Sequence, residues 1–239
     1  MTSDTSDPTE GLRELVERAR CVLFDFDGPI CRLFAGHSAR QVARDQVRWL
    51  DERGLHGLLG NGMREEPDPY IVLRAVDRRQ PGSDLVVELE ERLTHEELKA
   101  VASAWPTPYA DGLIRTWSAL GARLGIATNN SPKAVASYLG GRGLDSCFAP
   151  HIYGRTKDLR LLKPNPHCVR RALGAMGADP ARTLLIGDAV TDFGAATSAG
   201  VDFLGYARNE RKRKALRAAG ARYIVPSLEP VLDLLTRRG

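Results

Sequence analysis

The chain has 239 residues, 43% hydrophobic and 27% charged, with a net charge of +4, enough for one full core and a smaller inserted unit. No run approaches the ~20 apolar residues of a membrane span, and the polar start "MTSDTSDPTEGLRELVERAR" lacks the apolar centre of a signal peptide. A soluble, cytoplasmic protein with no membrane partner is expected.

The excess of base is modest and does not by itself call for nucleic acid. Cys21, Cys31, Cys147 and Cys168 form no C-x-x-C pair and have no zinc-like spacing with the five histidines. Free thiols in a reducing compartment fit that pattern.

In chain order, "CVLFDFDGPI" opens with a strand over 21–25. From about 32 to 105 strand signals vanish. An amphipathic helix carries Ala39, Val42, Ala43, Val47 and Leu50 on one face, and a second is expected to begin at the capping box Thr94-His95-Glu96-Glu97. Beyond this block lie strands at 123–128, 149–153, 183–187, 202–206 and 221–225. Ser131-Pro132 and Asn165-Pro166 mark helix starts between them. Short apolar runs alternating with helices predict an α/β fold, a Rossmann-like parallel sheet with an inserted α-helical cap. The expected division is a core of 1–31 and 106–239 and a cap of 32–105. The basic run "RNERKRKALRAAGAR", 208–222, places Ala215, Leu216 and Ala219 on one stripe. It reads as a solvated helix face, so nucleic acid is not an expected partner.

Residues two apart on a strand face the same way, so Asp25 and Asp27 point toward one site if the extended conformation persists. In a parallel sheet that site lies beyond the strand C-termini, where ligands bind. Two adjacent carboxylates repel, and need a cation, a proton or both. Three further segments end near the same crevice. "IATNNS" supplies Thr128 and Asn129 before a helix N-terminus suited to phosphate, "LLKPNP" supplies Lys163, and "LLIGDAVTD" supplies Asp188 and Asp192 one helical turn apart. This chain uses lysine only six times, which makes Lys163 less casual than it looks.

In order, "DFDGP", Thr128, Lys163 and "GDAVTD" resemble the four motifs of the haloacid dehalogenase superfamily, its phosphatase-like branch, with a helical cap between the first and second motifs. The resemblance spans about 21–235. It implies Asp25 as nucleophile forming an aspartyl-phosphate, and Asp27 as general acid and base. It implies Lys163, Thr128 and Asn129 on the phosphoryl oxygens. It implies Mg²⁺ held by Asp25, Asp188 and the backbone carbonyl of Asp27, with Asp192 on a metal-bound water or on Lys163.

Pro29 departs from the pattern, since many relatives carry Thr or Val after the glycine; it removes a backbone N–H there. The expected activity is Mg²⁺-dependent hydrolysis of a small phosphorylated metabolite. A sugar phosphomutase, which keeps both aspartates, and a non-catalytic binding module stand as alternatives. Arg32, His37, Arg64, Tyr70 and Arg74 read as mostly ordinary surface residues, with no specificity residue named among them. Neither the substrate nor the oligomeric state is legible.

Overall fold

A computed structural model describes residues 8–60 and 62–237; the first seven residues of the expected core segment lie outside the described residues. Helix α1 (Pro8–Arg18) precedes β1 (Cys21–Phe24) and the short β2 (Cys31–Arg32). Three helices follow, α2 (Ala39–Glu52), α3 (Pro69–Arg79) and α4 (Asp84–Val101), and then the short β3 (Trp105–Pro106). The chain continues through α5 (Ala110–Ala119), β4 (Arg123–Ala127), α6 (Pro132–Arg142), α7 (Asp145–Phe148), β5 (Ile152–Tyr153) and α8 (His167–Met176). It ends with β6 (Thr183–Gly187), α9 (Val190–Ala199), β7 (Asp202–Tyr206), α10 (Glu210–Ala218), β8 (Tyr223–Val225) and α11 (Glu229–Thr236). None of the described helices is long and apolar enough to cross a membrane.

Six strands form one parallel sheet in the order β5-β4-β1-β6-β7-β8. The period-2 geometry of a strand sorts its side chains between two faces. Val22, Phe24, Leu184 and Ile186 join the cluster around Trp117 and Phe148. Cys21, Leu23 and Leu185 join the opposite cluster with Val169 and Phe203. A sheet buried on both faces explains why these strands are continuous apolar runs. Because Phe24 pairs with both Ile126 and Ile186, the chain leaves β1, β4 and β6 at the same edge, at the point where strand order reverses.

The inserted helices build their own core, with Val42, Val47, Leu50, Val72, Leu73, Leu89 and Leu93 packed together. Ser38 caps α2, Asp68 caps α3 ahead of Pro69, and Ser83 caps α4. The expected helix start at Thr94 is not there: Thr94 sits inside α4, where its hydroxyl donates to Glu90 at 2.9 Å. The run from Asp84 is strongly helix-forming and already capped, so T-x-x-E within it opens nothing. The cap's two ends meet in the antiparallel pair of β2 and β3, Arg32 opposite Trp105. Leu159 and Leu162, from the loop before Lys163, also pack into the cap's cluster.

Ser131 caps α6 as expected, accepting from the Lys133 N–H at 3.3 Å. The expected start at Asn165-Pro166 shifts by one residue: Pro166 takes the cap position of α8, and Asn165, two residues ahead of the helix, accepts from the His167 N–H at 3.0 Å. The basic helix α10 departs from expectation: of its proposed inner stripe, Leu216 is buried, Ala219 half-buried and Ala215 exposed. Its face toward the sheet edge carries Lys212.

Candidate active site

The backbone ladder of β1 extends one residue past the strand, where the Asp25 N–H donates to the Ile186 carbonyl at 2.8 Å. This fixes the Asp25 side chain at the central edge of the sheet. The chain then turns sharply, and Gly28 adopts φ +131°. A Cβ there would run into the Asp188 carboxylate, so glycine is required by conformation and by space. Thr107 closes the turn, its hydroxyl donating to the Gly28 carbonyl at 2.5 Å.

Lys163 lies buried beneath this edge. Its Nζ donates to Asp25 Oδ1 at 2.8 Å and the Ala127 carbonyl at 2.9 Å, and pairs with Asp192 Oδ1 at 2.5 Å. Burial alone would lower its pKa, but Asp192 and Asp25 more than offset that and raise it, so the ammonium is permanently charged. The other Asp192 oxygen, Oδ2, accepts from the N–H groups of Asp188 and Ala189 at 3.0 Å each. Asp192 therefore knits the turn after β6 to the lysine, and it is the helical residue α9 contributes to the site.

Asn129 uses both ends of its amide on the Lys163 main chain, accepting from N–H at 2.8 Å and donating to the carbonyl at 3.3 Å. The side chain thus braces the lysine loop. The Thr128 hydroxyl donates to Asn130 Oδ1 at 2.8 Å and accepts from the Asn130 N–H at 3.2 Å.

Asp27 Oδ1 accepts from the Leu33 N–H at 3.0 Å. Burial pushes its carboxyl up to about 6, with nearby Asp25 adding to the rise and Lys212 and Arg208 opposing it. Burial likewise pushes Asp188 up to about 7, against the pull of Lys212. Asp25 and Asp27 sit in unlike surroundings: one holds a lysine, the other a backbone N–H.

Asp25, Asp188 and Asp192 each offer a carboxylate oxygen within 4.8 Å of the others, and all three are buried. A cluster of hard oxygen donors carrying this much negative charge fits a divalent cation of the Mg²⁺ type. Asp25 and Asp188 have an oxygen free of backbone bonds for it, whereas both Asp192 oxygens are already engaged.

Two groups of residues escaped the sequence reading. Cap residue Glu97 is fully buried and accepts from Arg155 at 2.7 Å, from the Tyr70 hydroxyl at 2.5 Å, and from the Ser131 N–H at 3.2 Å. Asn130 donates to both Tyr70 and Glu97. Tyr70, expected at the surface, is the centre of this cap-to-core network, and burial followed by the Glu97 charge raises its pKa. The second group is basic: Lys212 contacts Asp188, and Arg32 and Arg208 line the same small cavity. Reading 208–222 as a solvated face fails at Lys212, which sits in the first turn of α10, capped by Asn209, and whose ammonium meets Asp188. A cap-forming Asn after a strand was the available signal.

The parallel sheet with its inserted helices and the buried acidic cluster at its central edge together define a Rossmann-like hydrolase with a helical cap. The sequence profile of the haloacid dehalogenase-like hydrolases matches residues 19–200, and the chain belongs to that family, as a phosphoric monoester hydrolase of its phosphatase-like branch. It is 28% identical to a phosphoglycolate phosphatase of Rhodospirillum rubrum over 198 residues, 79% of this chain and 81% of that protein. It is 24% identical to the pyrophosphatase PpaX of Bacillus velezensis over 225 residues, 92% and 96% of the two chains. A predicted phosphatase from Clostridium acetobutylicum shares the fold with a TM-score of 0.66 at 17% identity, covering 92% of this chain and 99% of that one.

Proposed function

We propose that the protein is a Mg²⁺-dependent phosphatase that hydrolyses a small phosphomonoester through an aspartyl-phosphate on Asp25. The observation that carries this reading is Lys163 Nζ, 2.8 Å from Asp25 and buried among the acidic groups of two strand ends and the first turn of α9. A carboxylate so held keeps one oxygen aimed at the crevice while its charge is screened.

In the first step Asp25 attacks phosphorus, the ester P–O bond breaks, and Asp27 gives its proton to the departing oxygen. A pKa of about 6 leaves a useful protonated fraction near neutrality. In the second step Asp27, now ionised, takes a proton from water as the water oxygen attacks phosphorus. The bond to Asp25 breaks, releasing phosphate and restoring both residues. Lys163 balances charge on the phosphoryl oxygens, and the Thr128 hydroxyl, whose single proton goes to Asn130 in the unliganded protein, turns it to a phosphoryl oxygen when substrate binds. Asn129 contributes through the lysine loop it braces. Mg²⁺ held by Asp25, Asp188 and the backbone carbonyl of Asp27, with Asp192 ordering its surroundings, would supply the positive charge that lets a carboxylate approach a phosphate.

The cap of 32–105, with its own apolar core and two-stranded base, shields the crevice, and the core is formed by the described parts of 1–31 and 106–239. Free cysteines at the four described positions support a cytoplasmic location. The names of the relatives favour a short substrate, with 2-phosphoglycolate the first to try. The test is phosphate release over a panel of small phosphomonoesters, with Mg²⁺ and with chelator. Metal-dependent release supports the reading, isomerised sugar phosphate without release would make the protein a mutase, and neither outcome would leave it a binding module.

A further inference from the structure

The mouth of the crevice is built unlike its floor. A cavity of about 170 Å³ opens between Asp27, Asp188, Phe34, Arg32, Arg208 and Lys212. It is small beside the ~300–1,000 Å³ of pockets for drug-sized ligands, so it suits a compact molecule. Three of these six residues are cations supplied by three separate segments: Arg32 by the cap's hinge strand β2, Arg208 by the loop after β7, and Lys212 by the first turn of α10.

None of the three is explained by protein partners alone. Arg32 lies over the Trp105 ring, its guanidinium carbon 5.2 Å from the centroid, which orients the group without neutralising it. Among the described residues neither Arg32 nor Arg208 has a carboxylate within ion-pair distance, and Arg208 is exposed at the rim. Lys212 does touch Asp188, but that carboxylate is one of the acids suited to a divalent cation. A cation there leaves the ammonium without its partner and facing the cavity. Lys163 does not reach this cavity, because its ammonium is spent on two aspartates of the floor.

We propose that Arg32, Arg208 and Lys212 form an anion subsite that binds a second negatively charged group, a carboxylate or a phosphate, on the leaving-group side of the substrate. This rests on the phosphatase reading above and adds the substrate class to it: a short phosphorylated molecule, ester or anhydride, with an anionic tail. Asp27, on the same cavity wall, is then placed between the scissile oxygen and the tail. Guanidinium forks match either oxyanion bidentately, and a cavity walled by protein concentrates their field on the tail.

The test compares kcat/KM for 2-phosphoglycolate (carboxylate tail), pyrophosphate (phosphate tail) and ethyl phosphate (no charged tail). The wild-type protein is expected to prefer at least one anionic-tailed substrate over ethyl phosphate by more than tenfold, and the favoured arm identifies the tail. Arg208→Gln and Arg32→Gln should each cut that ratio by roughly 10-fold or more, the scale of a lost charge-assisted contact, with Arg208→Lys retaining more than Arg208→Gln. Calorimetric affinity of the same compounds for the Asp25→Asn protein, which needs no turnover, should show the same order. Hydrolysis of all three compounds with equal kcat/KM, or a ratio unmoved in both glutamine variants, overturns the subsite while leaving the phosphatase reading standing. Failure to hydrolyse any phosphate ester sinks the phosphatase reading. The calorimetric ratio then decides the subsite, and equal affinities for 2-phosphoglycolate, pyrophosphate and ethyl phosphate overturn it.

Discussion

Two buried polar clusters sit within a few residues of each other in this molecule, and they are balanced in opposite ways. In the cap-to-core network, Glu97 and Arg155 are fully buried side chains joined at 2.7 Å, with Glu90, Thr94, Tyr70, Asn130 and the Asn129 carbonyl taking up the remaining donors and acceptors. In the crevice, Asp25, Asp27, Asp188 and Asp192 crowd around Lys163 and Lys212, and three of the four have carboxyls raised by burial. The first cluster is complete within the protein. The second holds more acid than base, so it is stable only with protons or an added cation. A saturated network suits holding one conformation; an unsaturated one suits binding and chemistry. Connecting them is Asn130, which donates to Tyr70 and Glu97 and accepts from the Thr128 hydroxyl, so the cap is linked to Thr128 through a single side chain.

The sharpest break of this contrast is Asp25→Asn. Phosphate release should fall by ~10⁴-fold or more, since no group remains to form the covalent intermediate, while thermal unfolding stays within a few degrees of wild type. Turnover near the wild-type rate would remove Asp25 as nucleophile. Asp27→Asn should be milder, a loss of roughly 10²–10⁴, and selective. Single-turnover phosphoryl transfer from an aryl phosphate, whose leaving oxygen needs little protonation, should be spared relative to an alkyl ester. Equal slowing of both esters contradicts the acid role.

Arg155→Met tests the other cluster. It strands the Glu97 carboxylate without its cation, which should cost about 3–5 kcal/mol of stability, and Glu97→Gln in the same chain should restore part of it. A single variant as stable as wild type by urea unfolding would show that the network is not a closed structural unit.

The smallest effect is a pH dependence of the metal-free protein. Asp27 at about 6 and Asp188 at about 7 stand above their ordinary 3.8, so between pH 4 and 7 the folded chain binds more protons than the unfolded one. Stability therefore falls as pH rises through that window. From pH 5.5 to 8 the loss should be on the order of 2 kcal/mol, a drop of roughly 4–8 °C in Tm for a chain of this size. Saturating Mg²⁺ at pH 8 should recover a similar amount, ~2.7 kcal/mol at 100 times Kd. A Tm that is flat with pH and indifferent to Mg²⁺ would mean the crevice is charge-balanced after all.

Much of this was legible in one dimension. The strands came from apolar runs and the helix start at Ser131 from capping chemistry, because both depend on neighbours a few residues away. Asp25, Asp27, Thr128, Asn129, Asp188 and Asp192 were found because each follows a strand or opens a helix on the same sheet edge, and a parallel sheet gathers such ends by its topology alone; Lys163, in a loop ahead of α8, was found by its motif. Their neighbourhood was thus determined by the sequence. Their partners were decided only by the tertiary structure: that Asn129 spends its amide on the Lys163 backbone, that Asp192 binds two N–H groups as well as the lysine, and that Thr94 lies inside a longer helix. Least legible were Tyr70, Glu97 and Arg155, and the trio Arg32, Arg208 and Lys212, which look like ordinary surface residues in a charged chain. Whether a long polar side chain meets water, a buried counter-charge or a substrate depends on which segments fold over it, and those segments lie dozens of residues apart in the chain. Local pattern sets the elements and their ends, but burial and pairing are properties of the assembled layers.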